Sequence, residues 1–356
     1  MEGRMGGNNP LKAVAAAVRS GEWWDHKLVP LLTAFYATAL FAGAGVSALW
    51  TTALVFLLSL LPGAAYVSIV NDVFDVRSDE AAGKPNRMAA RSPAFRAAAV
   101  AACVAAGFPF FWYWRSDPAA LACYAAAWIA FSLYSVPPAR LKVRGVFGLC
   151  ADAAGAHFFP TLLAAAALFA ALGRPAPAAW LAAIGCWSFA LGCRGILWHQ
   201  LLDRDRDERS GIATFAVRHP PAATARLAAI IFAAELAALA AMLLMMGSLL
   251  ALAAGLYYLL LVHRRARIWG LGTVIAAPRA EYRIWLDDYY GVLLPVSVLA
   301  ASAIARPADL LVLLAHILLF PRRPMETVRD SWILVAVPLF NRLMRRRPMD
   351  RRPPAR

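Results

Sequence analysis

The stretch Asn71-Asp72-Val73-Phe74-Asp75-Val76-Arg77-Ser78-Asp79 decides how the rest of the chain is read. It follows an uncharged apolar run from Thr51 to Val70, and Glu80, Lys84, Asn86 and Arg87 come soon after it. Four carboxylates, Asp72, Asp75, Asp79 and Glu80, therefore fall within nine residues. On a continuing helix Asn71, Asp75 and Asp79 stand at i, i+4 and i+8, and Asp72 joins Asp75 at i, i+3. Carboxylates stacked on one helical face repel one another unless a cation sits among them. Hard oxygen donors in this pattern suit Mg²⁺, which keeps several waters and completes its shell with phosphate oxygens. A solvated acidic loop between two spans is the plain alternative, and a second cluster of similar spacing counts against it.

The composition sets that stretch in a membrane. Of 356 residues, 61% are hydrophobic and only 16% charged, and several runs exceed the roughly 18 apolar residues that mark a transmembrane helix. Candidate spans are 28–48, 51–71, 94–114, 118–137, 147–172, 178–202, 222–246 and 248–263, with shorter runs at 289–304 and 307–320. The formal charge of +15 does not point to nucleic acid, because Lys and Arg gather in alternate loops. Lys84, Arg87 and Arg91 lie in the second loop, Arg140, Lys142 and Arg144 in the fourth, and Arg204, Arg206 and Arg209 in the sixth. The odd loops hold only Arg115 and Arg174. This asymmetry predicts that the amino terminus and the even loops are cytoplasmic. Cys103, Cys123, Cys150, Cys186 and Cys193 all lie in apolar runs without a CxxC pair, which predicts core thiols rather than disulfides or a zinc site.

Three segments are expected. Residues 1–27 form an amino-terminal interfacial segment, with a helix over 10–27 ending at Trp23-Trp24. Residues 28–320 form the transmembrane domain, and 321–356 a basic cytoplasmic tail on the inner leaflet.

A second acidic cluster closes the sixth span, where His199, Asp203 and Asp207 stand at i, i+4 and i+8, followed by Gly211 and Thr214. Asp205 points elsewhere and is expected to pair with Arg204 or Arg209. Both clusters end even-numbered spans, so they open to the same side and can meet at one mouth. Two facing carboxylate clusters imply two or more Mg²⁺ with a diphosphate between them. The loop Tyr134-Ser135-Val136-Pro137-Pro138-Ala139-Arg140-Leu141-Lys142 adds cations near that mouth, where diphosphate would want them; ordinary positive-inside bias explains the same two cations.

These motifs together resemble the UbiA superfamily of intramembrane prenyltransferases, from about residue 28 to residue 264. Asn71-Asp72-x2-Asp75-x3-Asp79 matches the first motif of that superfamily, and Lys84-Pro85-Asn86-Arg87 resembles the basic stretch after it. Tyr134-Ser135-x-Pro137-Pro138-x-Arg140-x-Lys142 is similar to its tyrosine–lysine motif. Asp203, Asp207, Gly211 and Thr214 match its second motif. The resemblance implies an all-α integral membrane protein, a bundle of about nine transmembrane helices around a central cavity, with Mg²⁺-bound diphosphate under a cytoplasmic cap. The chain departs from it at Asp287-Asp288-Tyr289-Tyr290 and in its long basic carboxyl end.

The expected reaction is Mg²⁺-dependent transfer of a prenyl group from an isoprenyl diphosphate to an aromatic or other lipophilic acceptor, in a bacterial inner membrane and facing the cytoplasm. Asp72, Asp75, Asp79, Asp203 and Asp207 are the expected metal ligands. Of these, Asp72, Asp75, Asp203 and Asp207 carry catalysis by stabilising the leaving diphosphate. Asn71, Lys84, Arg87, Tyr134, Arg140, Lys142, His199, Arg194 and Asp152 are the expected substrate contacts. Tyr134 or Phe74 can flank an allylic cation with its ring, although packing is the ordinary use of either. Asp152, His157 and Arg194 are ionisable groups at membrane depth, which calls for partners or a cavity. Asp152 and Arg194 both lie about 8–14 Å deep, so they either pair with each other or touch the acceptor. Glu235 stays unassigned. A phosphoribosyl-type transferase with a polyprenyl phosphate acceptor and an intramembrane terpene cyclase share the expected fold. A divalent-cation transporter would carry its acidic residues deep in several spans rather than at one edge.

Overall fold

The computed structural model describes residues 20–81, 83–209, 211–278 and 281–345. Its elements are α1 (Val29–Phe41), α2 (Trp50–Ala81), α3 (Pro93–Trp114) and α4 (Pro118–Ser135). They continue with α5 (Val146–Ala171), α6 (Ala178–Leu202), α7 (Pro221–Met246) and α8 (Leu249–Trp269). After a parallel pair of three-residue strands, β1 (Gly272–Val274) and β2 (Tyr282–Ile284), come α9 (Tyr289–Ala305), α10 (Asp309–Leu319), α11 (Arg322–Ser331) and α12 (Val337–Arg345). The chain is an all-α integral membrane protein. Among the described residues seven helices, α2 to α8, are long and apolar enough to cross a membrane, while α9 and α10 are shorter apolar helices. The expected count of nine is thus not reached by full-length spans.

The first candidate span, 28–48, yields a helix of only 13 residues. Its helix stops at Phe41 because Gly43 takes φ 68°, a left-handed conformation that glycine adopts without penalty. Gly43 N–H then donates to Leu40 O and Ala44 N–H to Ala39 O, closing the helix with a Schellman pair. What remains of α1 is buried continuously from Val29 to Ala39, packed between α5 and α9 with α2 and α7 close by. A helix apolar on every side belongs in the middle of a bundle, and α1 sits there. Ser20–Trp23 is helical and leads through the wide turn Trp24–Leu28 into α1; residues 10–19 of the expected interfacial helix lie outside the described residues.

α3 and α4 start at capping side chains. Asp117 accepts from the N–H groups of Ala119 and Ala120 ahead of Pro118, and Ser92 accepts from Phe95 N–H ahead of Pro93, so both helices begin with a capping side chain and proline in the first turn. α5 and α6 pack at backbone distance: a Cβ on Gly192 would lie 2.9 Å from Ala153 Cα. All five cysteines are free.

The segment that departs from the sequence resemblance is tied down by ion pairs. Asp287 pairs with Arg323. Asp288 binds Arg265 at 2.5 Å, and Arg265 also binds Asp330 of α11 at 2.7 Å. Arg265, Asp288 and Asp330 are all buried, so α11 is fixed to α8 through its polar face. Its apolar residues Met325 and Val328 point outward, as does Trp332 directly after it, all more than 60% exposed. A helix that buries Asp330 and turns Met325 and Val328 outward beside exposed Arg322 and Arg329 suits a lipid surface. The basic run beyond Arg345 lies outside the described residues.

Candidate active site

α2 runs unbroken through the acidic stretch. Its 32 residues extend about 48 Å, longer than the roughly 30 Å hydrocarbon core, so its last turns carry Asn71, Asp72, Asp75 and Asp79 past the apolar slab. Asp72 and Asp75 are nonetheless buried, because two loops fold over them.

The first loop supplies Lys84, Asn86 and Arg87. Asn86 Nδ2 donates to Asp72 O at 2.9 Å and to Asp79 Oδ2 at 2.7 Å. Arg87 Nε lies 2.9 Å from Asp72 Oδ2. Lys84 reaches across to the second cluster, its Nζ 3.4 Å from Asp203 Oδ2 and 3.3 Å from Asp207 Oδ1. The second loop supplies Arg140 and Lys142. Lys142 Nζ binds the Asp75 carboxylate and donates to Asn71 Oδ1 at 2.9 Å. Arg140 Nη2 lies 3.0 Å from Asp75 Oδ1, and Ser135 Oγ donates to Asn71 Oδ1. The two acidic clusters and both basic loops therefore meet at one end of the bundle.

The second cluster keeps its register across a break. α6 ends at Leu202 and a short helix, Arg204–Arg209, begins directly after Asp203. Asp203 N–H still donates to His199 O and Asp207 N–H to Asp203 O, so His199, Asp203 and Asp207 stay on one face. Asp203 also pairs with Arg206 at 3.2 Å. Asp205 is exposed, and Arg209 Nε donates to its backbone carbonyl rather than to its carboxylate as expected.

Both clusters end in the same way. Gly83 N–H donates to Glu80 O and Lys84 N–H to Asp79 O, while Gly211 N–H donates to Glu208 O and Ile212 N–H to Asp207 O. Each is a Schellman closure on a glycine with positive φ. Asp75-x3-Asp79-x3-Gly83 and Asp203-x3-Asp207-x3-Gly211 are thus the same device used twice, the glycine turning the chain so that the residues after it return over the carboxylates.

Electrostatics at this end are set by burial against pairing. Burial pushes the Asp207 carboxyl above its ordinary range, and Lys84 beside it opposes the shift. Burial likewise pulls the Lys142 ammonium down, with Asp75 opposing. Among the described residues no three His, Cys, Asp or Glu side chains form a ready metal cluster. The donor set nevertheless fits a hard cation: Asp203 and Asp207 converge on one position, which the Lys84 ammonium takes, and a metal bound there would replace that ammonium.

Below the mouth, Tyr134 and Asp152 are half-buried and His199 is exposed. Asp152 lies near enough to Tyr134 and to His199 for its charge to act on both. Phe74 does not face the carboxylates; it is 40% exposed on the back of α2, so the expected stacking role does not fall to it.

Asp152 and Arg194 do not pair. Arg194 forms a bidentate bridge to Glu235 of α7, Nε to Oε2 at 2.6 Å and Nη2 to Oε1 at 2.7 Å, and its Nη1 donates to Ile275 O. Both partners are almost fully buried. α6 packs against α5 on one side and α7 on the other, and the guanidinium faces α7. A lone glutamate in an apolar span needs a buried cation, and that signal was present in the sequence. Ile275 and Ala276, between the strands, pack with Leu149, Leu197 and Phe215 over the same end of the bundle, which no motif announced.

Comparison with known proteins is consistent with this geometry. The chain matches the family described as the UbiA prenyltransferase family over residues 30–285. It resembles the structure of a UbiA homolog from Archaeoglobus fulgidus bound to DMAPP and Mg²⁺, at 16% identity and TM-score 0.53, covering 82% of this chain and 99% of that one. The homolog bound to GPP and Mg²⁺ gives TM-score 0.50 at 16% identity, covering 82% and 99%. The same homolog bound to Cd²⁺ gives 0.57 at 16%, covering 82% and 98%. No curated protein matches the chain.

Removing either partner of the Arg194–Glu235 bridge leaves a buried charge alone, at about 3–5 kcal/mol in soluble proteins. Arg194→Gln and Glu235→Gln are each expected to lower the melting temperature in detergent, and the double variant to recover part of the loss. Asp152→Asn is expected to melt like the wild type. A loss in Asp152→Asn as large as that in Glu235→Gln contradicts the assignment.

Proposed function

We propose that this chain, which belongs to the UbiA prenyltransferase family, transfers a prenyl group from an isoprenyl diphosphate to an aromatic or other lipophilic acceptor in the membrane, with Mg²⁺ as cofactor. The observation that carries this reading is the Lys84–Arg87 loop, which joins two carboxylate clusters at one end of an apolar bundle. Archaeal homologs of the same fold bound to DMAPP or GPP with Mg²⁺ support it.

Asp72, Asp75, Asp79, Asp203 and Asp207 are the residues that would hold Mg²⁺. When bound, the metal neutralises charge on the diphosphate oxygens and orients them as a Lewis acid. In the transfer, the bond from the allylic carbon to the bridging oxygen breaks, and its electron pair leaves with the diphosphate. Lys84, Arg87, Arg140 and Lys142 stand where that charge develops, held in place by their carboxylate partners, and so need little reorganisation to meet it. Asn71, fixed by Lys142 and Ser135, sets the ammonium beside Asp75. The acceptor then supplies electrons to the allylic carbon in the space bordered by Tyr134, Asp152 and His199, away from bulk water, and the proton it loses passes to the released diphosphate. Arg194, whose charge Glu235 balances, serves the bundle beneath that space.

Asp72→Ala, Asp75→Ala and Asp203→Ala are each expected to lower turnover of labelled geranyl diphosphate with membrane lipid extract by about 10²-fold or more, measured at a temperature where each variant is still folded. Wild-type turnover by any of the three would sink the two-cluster site.

The alternation of basic loops supports a cytoplasmic position for the acidic end. In a background without native cysteines, a membrane-impermeant thiol reagent added from the cytoplasmic side is expected to label Arg91→Cys and to spare Arg174→Cys. The reverse pattern overturns this orientation.

A further inference from the structure

On the back of α2, away from the carboxylates, α2 and α3 part to leave an open groove of about 630 Å³. Val70, Val73 and Phe74 form one wall and Ala97 and Val100 the other, with Arg96 in the lining. Val70, Val73 and Arg77 recur at i, i+3 and i+7, so Arg77 continues the same stripe one turn further along, opposite to Asp72, Asp75 and Asp79. Arg77 is exposed.

The depth of the groove is fixed by the length of α2. The uncharged run Thr51–Val70 covers about 30 Å at 1.5 Å per residue, the thickness of the hydrocarbon core. Val70 therefore lies at its edge, with Arg77 about 10 Å beyond, among the headgroups. The groove runs from hydrocarbon depth at Tyr66 to headgroup depth at Arg96, near the amino terminus of α3, and Arg77 lies one turn beyond its Val73 end on the same face of α2. Arg96 is preset, its Nε donating to Met88 O at 2.8 Å and its Nη2 to Ala89 O at 2.9 Å.

An apolar trough open to the bilayer, with two guanidinium groups at its headgroup end, is complementary to an anion carried on a hydrocarbon chain. We propose that this groove binds one anionic phospholipid of the leaflet at the acidic end, its phosphate against Arg77 and Arg96 and an acyl chain along Val70, Val73 and Val100. Arg96 also grips the loop that carries Lys84 and Arg87, so the bound lipid steadies that loop over the carboxylates. Lipid binding here stands apart from the transfer reaction and is measured without it.

The test uses delipidated full-length protein in detergent, offered phosphatidylglycerol or phosphatidylcholine of the same chains, with bound lipid counted by mass spectrometry of the intact protein. The wild type is expected to retain phosphatidylglycerol over phosphatidylcholine. Arg77→Gln is expected to lower phosphatidylglycerol retention about fivefold, and Val100→Trp, which fills the trough, to lower retention of both lipids. Equal retention of the two lipids by the wild type, or unchanged phosphatidylglycerol retention in both variants, overturns the proposal. So does displacement of the lipid by an equimolar amount of geranyl diphosphate, which would make the groove a donor subsite.

Discussion

Repulsion among carboxylates at one end of an apolar bundle is the constraint on which the rest of this structure depends. Asp72, Asp75, Asp79, Asp203 and Asp207 end two helices whose remaining surface belongs in lipid. Left alone, the partly buried carboxylates would be destabilised by desolvation and by one another. The chain answers with two return loops, each carrying cations back over the acids. Lys84 and Arg87 come from the turn after α2, and Arg140 and Lys142 from the turn after α4. The Schellman closures at Gly83 and Gly211 are what turn the chain at the two acidic ends. Chemistry for a diphosphate follows from the same arrangement, since the cations that quiet the carboxylates are the ones an anionic substrate would meet.

Buried charge elsewhere obeys the same rule with a different outcome. Arg194–Glu235 and Arg265–Asp288–Asp330 are closed sets, each guanidinium matched to carboxylates at hydrogen-bonding distance. They fix helix to helix, α6 to α7 and α8 to α11. At the mouth, by contrast, the Lys84–Asp203 pair is open to solvent, with Asp203 42% exposed, whereas Arg265, Asp288 and Asp330 are buried. Partners that solvent reaches can be exchanged for an anion or a metal, and that separates a site from a clamp.

Much of this was legible in the sequence because length, polarity and helical period carry it. The spans 94–114 and 178–202 fall almost on α3 and α6, and the i, i+4, i+8 reading of both acidic stretches agrees with the hydrogen bonding. Periodicity fixes how deep a residue lies but not which neighbouring helix it faces. Asp152 and Glu235 were therefore equally open partners for Arg194, and only packing between α5 and α7 decides for Glu235. The early end of α1 turned on a single glycine conformation inside an otherwise apolar run. Asp287 and Asp288 read as an unexplained acidic segment because their partners, Arg323 and Arg265, are brought beside them only by the folded chain. Ile275 and Ala276 carry no motif, and their place over the bundle comes from apolar packing alone.

The central claim is that the two acidic clusters are halves of one site. Electron paramagnetic resonance of Mn²⁺, titrated into the protein with and without geranyl diphosphate, tests it directly. Asp75→Asn and Asp203→Asn, one from each cluster, are each expected to abolish the diphosphate-dependent component of Mn²⁺ binding. Retention of about half of that component in each variant would mean two independent sites and would contradict the account.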